Sequence, residues 1–411
     1  MERYMAFSVG QLQFLDSFQF MSKSLHELAK TLNTEDFTHL KNHFPDNNQF
    51  NLMKKKGIYP YDHMSNVDKF QETSLPSQGQ FYNHLSDKGI TKKQYNHVKQ
   101  VWKIFDCKLM KQYHDIYLTA DVLLLADVFE NFRKMSLNHY GLDPAHYYTA
   151  PGMSWDAALK MTNVNLELIT DINQYKFIEK GIRGGISMIS HRYAEANNPY
   201  LPETFNPSKP TSYILYLDAN NLYGEGMVQF LPTGGFRFLS EKEINKNFSE
   251  YNTNVMALKD DARKGFMFEV DLEYPKEIHD QHSDYPLAPE SLEITKDMYS
   301  PFQNANFPKE PPQRKLTPNL LNKKNYIVHY RNLKLYLEMG MCITKIHRVL
   351  EFSQSAWLKP YIEFNTCCQT RATSNFEKDY FKLMSNVFFG KTQENLRKRV
   401  SVELVTVSRK E

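Results

Sequence analysis

The longest regular pattern in this chain is helical, and it constrains the fold of the first third more than any other feature. In residues 109–141, LMKQYHDIYLTADVLLLADVFENFRKMSLNHYG, apolar residues recur every three or four positions, which is the period of one face of an α-helix. Residues 22–32 and 92–105 have the same period. We therefore predict that the first 150 residues fold mainly as helices.

Short strand signals replace the helical pattern after a glycine-rich segment. Residues 181–185, GIRGG, contain three glycines and favour a hinge before a strand-like run. Further strand signals lie in SYILYLD, GGFRFL and FMFEVDLEYP, whereas residues 275–320 are rich in proline and charge and predict an irregular or inserted segment. The helical period returns from Tyr361 to about Arg399, and a strand-like SVELVTV follows.

Composition and charge limit the possible functions. Fifty basic and 47 acidic residues leave a formal charge of +3, so a surface for nucleic acid must come from local clusters such as Lys54–Lys56 and Arg397–Arg399. The four cysteines show no C-x-x-C spacing, which indicates a reduced, intracellular protein. We expect neither secretion nor a membrane partner, because no apolar run approaches about 18 residues and the N-terminus lacks a signal-peptide pattern.

An apolar run ends on a carboxylate in SYILYLDANNLYGEGM, residues 212–227. Tyr213–Leu217 has the bulk of a strand buried on both faces, and Asp218 stands at its predicted end. A carboxylate fixed there suits Mg²⁺, which takes one or two protein carboxylates. Alternatively, residues 218–221 form a turn and helix cap. The spacing alone leaves both interpretations open.

A second candidate site lies in RATSNFEKDYFKLMSNVFFGKTQENLRKR, residues 371–399. On a helix, Lys382, Asn386 and Phe389 share one face. An ammonium, an amide and an aromatic ring on one face suit a nucleoside triphosphate, and Gly390 would permit close approach of a chain or base pair. The alternative is an ordinary amphipathic helix whose lysines extend to solvent.

A third candidate site is the pair Tyr117 and Asp121, which lie one helical turn apart in YLTADVLLLADVFENF. It stands beside a strongly apolar flank. Taken alone, this pattern is typical of a core helix with a solvated acid.

In this order, the three segments resemble family B DNA polymerases of the protein-primed branch, found in viruses, linear plasmids and Maverick or Polinton mobile elements. Residues 218–224, DANNLYG, resemble the first polymerase motif, D-x-x-S-L-Y-P, and residues 382–390, KLMSNVFFG, resemble the second, K-x-x-x-N-S-x-Y-G. Residues 117–121 match the third exonuclease motif, Y-x-x-x-D. Residues 182–185, IRGG, stand where the family has Y-x-G-G between its two halves.

The resemblance implies roles for these residues. Asp218 would be one of two aspartates that bind two Mg²⁺ ions, and Tyr223, following Leu222, would pack under the sugar of the incoming dNTP. The other implied nucleotide contacts are Arg371, Lys382, Asn386 and Phe389. The implied contacts with template and primer DNA are Arg183, Gly184, Gly185 and Gly390. Tyr117 and Asp121 would remain from an exonuclease site.

The resemblance also implies an α+β fold, in which a partial RNase H-like exonuclease domain precedes an incomplete family B palm with an insertion and helical fingers. The implied segments are the C-terminal part of the exonuclease-like domain (1–180), a linker with the RGG motif (181–200), the palm with the first polymerase motif (201–271), an insertion that engages a priming terminal protein (272–345), the fingers with the second polymerase motif (346–400) and the start of a returning palm strand (401–411).

The sequence departs from the family at both catalytic sites. The motif Y-x-D-T-D, which carries the second metal-binding aspartate, does not occur, and neither does the D-x-E pair that should precede Tyr117. We therefore expect a chain truncated at both ends, a very poor polymerase by itself, and no proofreading. Asp16 is expected to have a structural role.

Two functions remain open. One is a DNA-directed DNA polymerase that works in the nucleus, or wherever the element's DNA replicates. The other is a catalytically inactive remnant that binds nucleic acid or a partner protein. A nuclease is a weaker third possibility, because only one of its carboxylates is present.

Overall fold

The computed structural model describes residues 5–306 and 313–400. The predicted start of a returning palm strand, residues 401–411, lies outside the described residues. The α-helices are, in chain order, α1 (Leu25–Thr31), α2 (Thr38–His43), α3 (Asn47–Met53), α4 (Lys92–Ile104), α5 (Met110–Tyr140), α6 (Ala150–Thr162), α7 (Ile172–Gly181), α8 (Leu222–Met227), α9 (Glu241–Asn247), α10 (Tyr251–Met256), α11 (His279–His282), α12 (Pro301–Asn306), α13 (Tyr330–Glu338), α14 (Lys359–Arg371) and α15 (Asn375–Thr392). None of the described helices combines the length and apolar character needed to cross a membrane.

The described strands form three antiparallel sheets. The strands are β1 (Ala6–Val9), β2 (Leu12–Leu15), β3 (Leu231–Phe238), β4 (Lys264–Glu273), β5 (Glu290–Ile294), β6 (Gln313–Thr317), β7 (Lys323–His329) and β8 (Cys342–Ser355). Four of them form the largest sheet in the order β3-β8-β4-β7. The remaining strands pair as β1-β2 and β5-β6.

The chain divides into two compact units. Unit 1 comprises Met1–Asn163 with Leu358–Glu411, and unit 2 comprises Val164–Trp357. Unit 1 contains α1–α6, α14 and α15. Unit 2 contains the four-stranded sheet. Helices and antiparallel sheets together give a mixed α and β fold, as predicted.

The 31-residue helix α5 is the core element of unit 1. Its buried side chains recur four apart along one face, at Ala120, Leu124, Val128, Phe132, Ser136 and Tyr140. A buried carboxylate on the same helix, Asp127, accepts hydrogen bonds from the backbone N–H groups of His39 (2.7 Å) and Leu40 (3.0 Å). These groups lie in the first turn of α2, where the helix has no internal acceptors for them. Asp127 therefore fixes α2 against α5.

Helix α15 is held against its neighbours in unit 1 by buried hydrogen bonds. Tyr140 donates to Asn365 Oδ1 (2.6 Å), and the amide of Asn365 donates to Ser385 Oγ (3.3 Å). Ser136 Oγ and the Tyr380 hydroxyl form a second link at 2.9 Å. Burial raises the pKa of both tyrosines, so their hydroxyls stay protonated as donors.

The sheet of unit 2 packs its apolar face against helices. Phe268 and Val270 of β4, Val349 of β8 and Leu333 of α13 belong to one buried cluster. The strand β4 lies between β7 and β8 and pairs with both. This position explains why its burial is nearly continuous.

The helices predicted from periodicity and two of the predicted strands are confirmed. The matching elements are α1, α4, α5, α14, α15, β3 and β4. The prediction that Asp16 is structural is also confirmed, because its carboxylate accepts hydrogen bonds from Phe18 N (3.0 Å) and Gln19 Nε2 (3.1 Å). Residues 275–320 are predicted to be an irregular or inserted segment. They are not irregular throughout, because β5 and β6 pair with each other, and their being an insertion stays a prediction.

Two predicted strands are wrong in this structure. Residues 213–217 form no strand, and their exposed fractions run from 59% at Tyr213 to 95% at Tyr216. The strand-like run after GIRGG is also irregular and largely exposed. An apolar sequence favours a buried strand, but burial requires a neighbouring strand edge. Among the described residues, none forms a backbone hydrogen bond with residues 213–218.

Asp271 on β4 allows a test of the unit 2 sheet through pH. Its burial opposes the charge, but hydrogen bonds from Asn325 N (2.9 Å), His347 (2.9 Å) and Lys324 (3.2 Å) outweigh that effect. They lower the pKa of Asp271 to about 2, against about 3.9 in an unfolded chain. The carboxylate therefore stabilises the fold above about pH 4, and this contribution is lost as the pH falls towards 2.

We expect Asp271→Asn to lower the free energy of unfolding by about 1–2 kcal/mol at pH 7, and by progressively less between pH 4 and pH 2.5. Urea unfolding at pH 7, 4 and 2.5 measures this difference. Asp261→Asn, at an exposed position, is the matched control. Equal losses for Asp271→Asn at all three pH values would contradict the prediction.

Candidate nucleotide and nucleic-acid sites

The second predicted site lies on α15, which begins with a capping box. Ser374 Oγ accepts from Glu377 N at 3.1 Å, and the Glu377 carboxylate accepts from Ser374 N at 3.4 Å. The helix turns its apolar side inward through Phe376, Tyr380, Phe381, Met384 and Phe388. Lys382 and Asn386 are exposed on the same helix.

Lys382 and Asn386 line one pocket of about 270 Å³ in unit 1. Lys23 also lines this pocket, and its ammonium pairs with Asp379 at 2.6 Å. Lys382, by contrast, has no salt-bridge partner among the residues that the structure describes. Phe132 and Tyr380 contribute apolar walls. The pocket is also lined by Asp379, whose carboxylate is paired with Lys23. The ammonium of Lys382 beside the amide of Asn386 can therefore bind an anionic group.

The other residues predicted to bind nucleotide or DNA in unit 1 do not line this pocket. Arg371 is exposed at the end of α14, and Phe389 is half-buried. Gly390 is exposed, and a Cβ placed there would have no neighbour within 4 Å. These three roles stay predictions.

Asp218 lies in an exposed, irregular segment of unit 2. The helix cap in this motif is Asn221, which has a left-handed backbone (φ 55°) and accepts a hydrogen bond from Gly224 N at 3.2 Å. The structure thus supports the turn-and-cap interpretation at Asn221. A metal-binding role for Asp218 stays a prediction.

Two departures from the family motif depend on each other in this structure: asparagine in place of serine at position 221, and glycine in place of proline at position 224. A Cβ at Gly224 would overlap the side-chain amide of Asn221, which forms the cap, so a side chain at position 224 is incompatible with this cap. Leu222 and Tyr223 follow the cap with exposed fractions of 67% and 58%. Their predicted contact with the sugar is not tested by this geometry.

The donor set around Asp218 does not fit a two-metal site. No three His, Cys, Asp or Glu side chains come together as metal ligands anywhere in the described parts of the chain. Asp218 contributes one carboxylate from an exposed segment. A two-ion site in phosphoryl transfer stabilises both the attacking and the leaving oxygen, and the described residues do not provide its ligands.

The predicted linker contacts differ in their surroundings within unit 2. Arg183 donates to the carbonyls of Ile327 (2.6 Å) and Gly181 (3.0 Å), and its guanidinium lies 3.8 Å from the centre of the Tyr326 ring. Arg183 therefore stabilises the fold, whatever its role towards DNA. Gly184 and Gly185 are exposed, with open space where a side chain would stand.

Tyr117 and Asp121 pack against a segment that comes some 60 residues earlier in the chain. Tyr117 stacks on Tyr59, with ring centres 4.7 Å apart, and its hydroxyl hydrogen-bonds to that of Tyr61. Lys56 Nζ lies 3.3 Å from Asp121 Oδ2, while Asp121 Oδ1 is buried without a hydrogen-bond partner among the described residues. Burial, the Tyr61 hydrogen bond and the charge of Asp121 raise the pKa of Tyr117.

Sequence reasoning missed the residues that surround this pair. The segment KKKGIYPYDHM, residues 54–64, supplies Lys56, Gly57, Tyr59 and Tyr61, whereas the only feature predicted in it is the basic cluster Lys54–Lys56. The sequence feature that could have indicated these contacts is Gly57, which stands close to Tyr59 and Tyr61. Gly57 lies so close to the Tyr117 ring that a Cβ would be 2.7 Å from Tyr117 Cδ2. Asp121 is therefore paired and half-buried, and the expectation of a solvated acid is wrong.

Comparison with known proteins identifies the family. The family described as DNA polymerase type B, organellar and viral, matches residues 4–403. Since this match spans nearly the whole chain, the chain belongs to the type B DNA polymerases. More particularly, it belongs to their organellar and viral family. No curated protein matches.

Solved structures of phi29 DNA polymerase also match. The orthorhombic crystal form is 15% identical with a TM-score of 0.43, and the match covers 94% of this chain and 50% of that chain. The complex with primer-template DNA and incoming nucleotide substrates is 14% identical with a TM-score of 0.45, covering 93% and 50%. The chain thus spans about half the length of these structures.

We expect Gly57→Ala to destabilise unit 1 by about 1–3 kcal/mol, because the added methyl overpacks the Tyr117 ring. Gly79→Ala is the control, since a Cβ at that position has no neighbour within 4 Å. Thermal unfolding of both variants measures the difference. Equal stabilities would show that the Tyr117 ring can move without cost.

Proposed function

We propose that this chain is part of a DNA-directed DNA polymerase of the protein-primed type, which adds dNTPs to a primer 3′ hydroxyl by templated phosphoryl transfer. The observation that carries the proposal is the pocket on α15, which is lined by Asn386 and by Lys382, a lysine with no salt-bridge partner among the described residues. It occurs in a chain of the type B DNA polymerase family, whose second polymerase motif supplies these two residues.

On α15, Lys382 binds the triphosphate of the incoming dNTP through its ammonium. Lys382 forms no salt bridge among the described residues, and the one carboxylate that lines the pocket, Asp379, is paired with Lys23, so the ammonium of Lys382 stays available to phosphate. Asn386 orients the sugar or base by hydrogen bonding, and Phe389 offers a ring for stacking. Arg371 is a further, weaker contact with the triphosphate.

In unit 2, Asp218 is the first of the two family aspartates, and Leu222 and Tyr223 border the sugar. Mg²⁺ at Asp218 is part of this proposal and rests on the motif. The second aspartate of the family is not in the sequence. We therefore expect the 411-residue chain by itself to extend primers very slowly.

The proposal extends to DNA and to a priming protein. Arg183, Gly184, Gly185 and Gly390 contact template or primer DNA, and residues 272–345 engage a priming terminal protein. Tyr117 and Asp121 belong to an RNase H-like exonuclease domain. A mobile element of the Maverick or Polinton type is the proposed source, with replication in the nucleus or wherever the element's DNA is copied.

We expect Lys382→Ala to weaken dATP binding about tenfold or more, because a charge-assisted contact with phosphate contributes about 1.5–3 kcal/mol. Isothermal titration calorimetry with the whole chain measures the affinity. Lys391→Ala is the matched control on the same helix, since Lys391 pairs with Glu394 at 2.6 Å and does not line the pocket. Equal affinities for the two variants would overturn the assignment of Lys382.

A catalytically inactive DNA-binding remnant is the second candidate. It is favoured by the exposed position of Asp218 and by the absence of any three-ligand metal group in the described residues. Primer extension separates the two functions. Slow extension that Asp218→Ala abolishes supports the polymerase, whereas salt-sensitive DNA retention without extension supports the remnant.

A further inference from the structure

A basic groove of about 970 Å³ lies in unit 1. Its lysines come from three elements: Lys30 from α1, Lys55 and Lys56 from the segment after α3, and Lys92 and Lys93 from the start of α4. No carboxylate is among the described residues that line it. The groove therefore concentrates positive charge in a chain that is nearly neutral overall.

Most of this charge has no internal partner. Lys56 pairs with Asp121 at 3.3 Å. For Lys30, Lys55, Lys92 and Lys93, no salt bridge exists within the described part of the chain. Since four lysines without a salt bridge among the described residues line one groove, an external anion would relieve their repulsion.

The first turn of α4 adds to the field of the groove. Lys92 and Lys93 are its first two residues, and the turn contains no acidic side chain. Basic residues at a helix N-terminus stand at the positive end of the helix dipole, where anions are favoured. The sequence thus places like charges together where a structural role alone would favour an acid.

Two histidines report the same field. Burial lowers the pKa of His97, and the charge of Lys55 lowers it further. Burial and Lys30 have the same effect on His26. Both rings line the groove, and His97 Nε2 is buried without a hydrogen-bond partner among the described residues.

We propose that this basic groove binds the phosphate backbone of a single DNA strand, at a site distinct from the Lys382 pocket. The two sites use different residues of α1, with Leu28 and Thr31 at the pocket and His26 and Lys30 at the groove. Lysines spread over three elements fit a chain of phosphates better than one small anion. The Watson–Crick edges of bases are free in a single strand and paired in a duplex, so only a single strand offers them to the side chains of the groove.

Amide side chains favour nucleic acid over an acidic protein. Gln94, Asn96 and Gln100 line the groove beside the lysines. The Oε1 atom of Gln94 already accepts a hydrogen bond from Thr91 N (2.8 Å) at the start of α4, so Asn96 and Gln100 are the amides that can hydrogen-bond to phosphates, sugars and base edges. The choice of DNA rests on the proposed polymerase function. The presence of a polyanion site rests only on the groove.

The test is fluorescence anisotropy of the whole chain with 5′-fluorescein dT20 over a range of salt concentrations, without dNTPs or added metal. The variant is Lys92→Glu with Lys93→Glu. Acidic side chains at these positions interact favourably with the dipole at the start of α4, so the melting temperature of the variant should not fall. The matched control is Lys111→Glu with Lys134→Glu, which changes the net charge equally at exposed positions outside the groove.

We expect the groove variant to bind dT20 about tenfold or more weakly, with a salt dependence shallower by about 1.4, since each lost phosphate contact on a single strand removes about 0.7. The control should change far less. Equal losses in both variants, no loss in either, or a loss with an unchanged salt slope would each overturn the proposal.

Two further arms decide the identity of the ligand. A 20-base-pair duplex should compete with dT20 less well than unlabelled dT20. Polyglutamate that competes equally at the same charge concentration would assign the groove to an acidic protein and overturn the choice of DNA. Primer extension is measured separately, so weak extension with intact groove binding, or the reverse, shows which of the two proposals has failed.

Discussion

The buried hydrogen bonds around α15 are the constraint on which the candidate nucleotide site of unit 1 depends. Tyr140, Asn365 and Ser385 form one chain of such bonds, and Ser154 Oγ donates to the carbonyl of Met384 at 2.7 Å. Apolar packing alone tolerates sliding and rotation of a helix, whereas a buried polar group that loses its partner costs about 1–3 kcal/mol. The bonds therefore fix the rotation of α15 and keep Lys382 and Asn386 on its exposed side.

Charge in unit 1 is organised by contacts between distant parts of the chain. The segment after α3 packs onto α5, where Lys56 meets Asp121 and Gly57 meets the Tyr117 ring. The same segment turns Lys55 towards the lysines that begin α4. Packing against α5 thus creates both the tyrosine cluster and the basic groove beside it. The predicted exonuclease residues Tyr117 and Asp121 and the basic groove therefore both depend on the packing of this segment against α5.

Unit 2 shows how far an apolar pattern determines a strand. Residues 266–272 and 213–217 both have the bulk of buried strands. The first run lies between β7 and β8 and is almost wholly buried. The second lies outside the sheet and is exposed. Their local preferences are similar, so the difference comes from the availability of neighbouring strands.

The sequence by itself determined the helices α1, α4, α5, α14 and α15, the strands β3 and β4, the shared face of Lys382 and Asn386, and the family, because period and motif order are local properties of a chain. The tertiary structure alone decided that Asp121 pairs with Lys56, that Asn221 caps α8, that Tyr213–Leu217 stays outside the sheet, and that five lysines meet in one groove. These outcomes depend on which distant side chains and strand edges come within a few ångströms, and no local pattern encodes such distances.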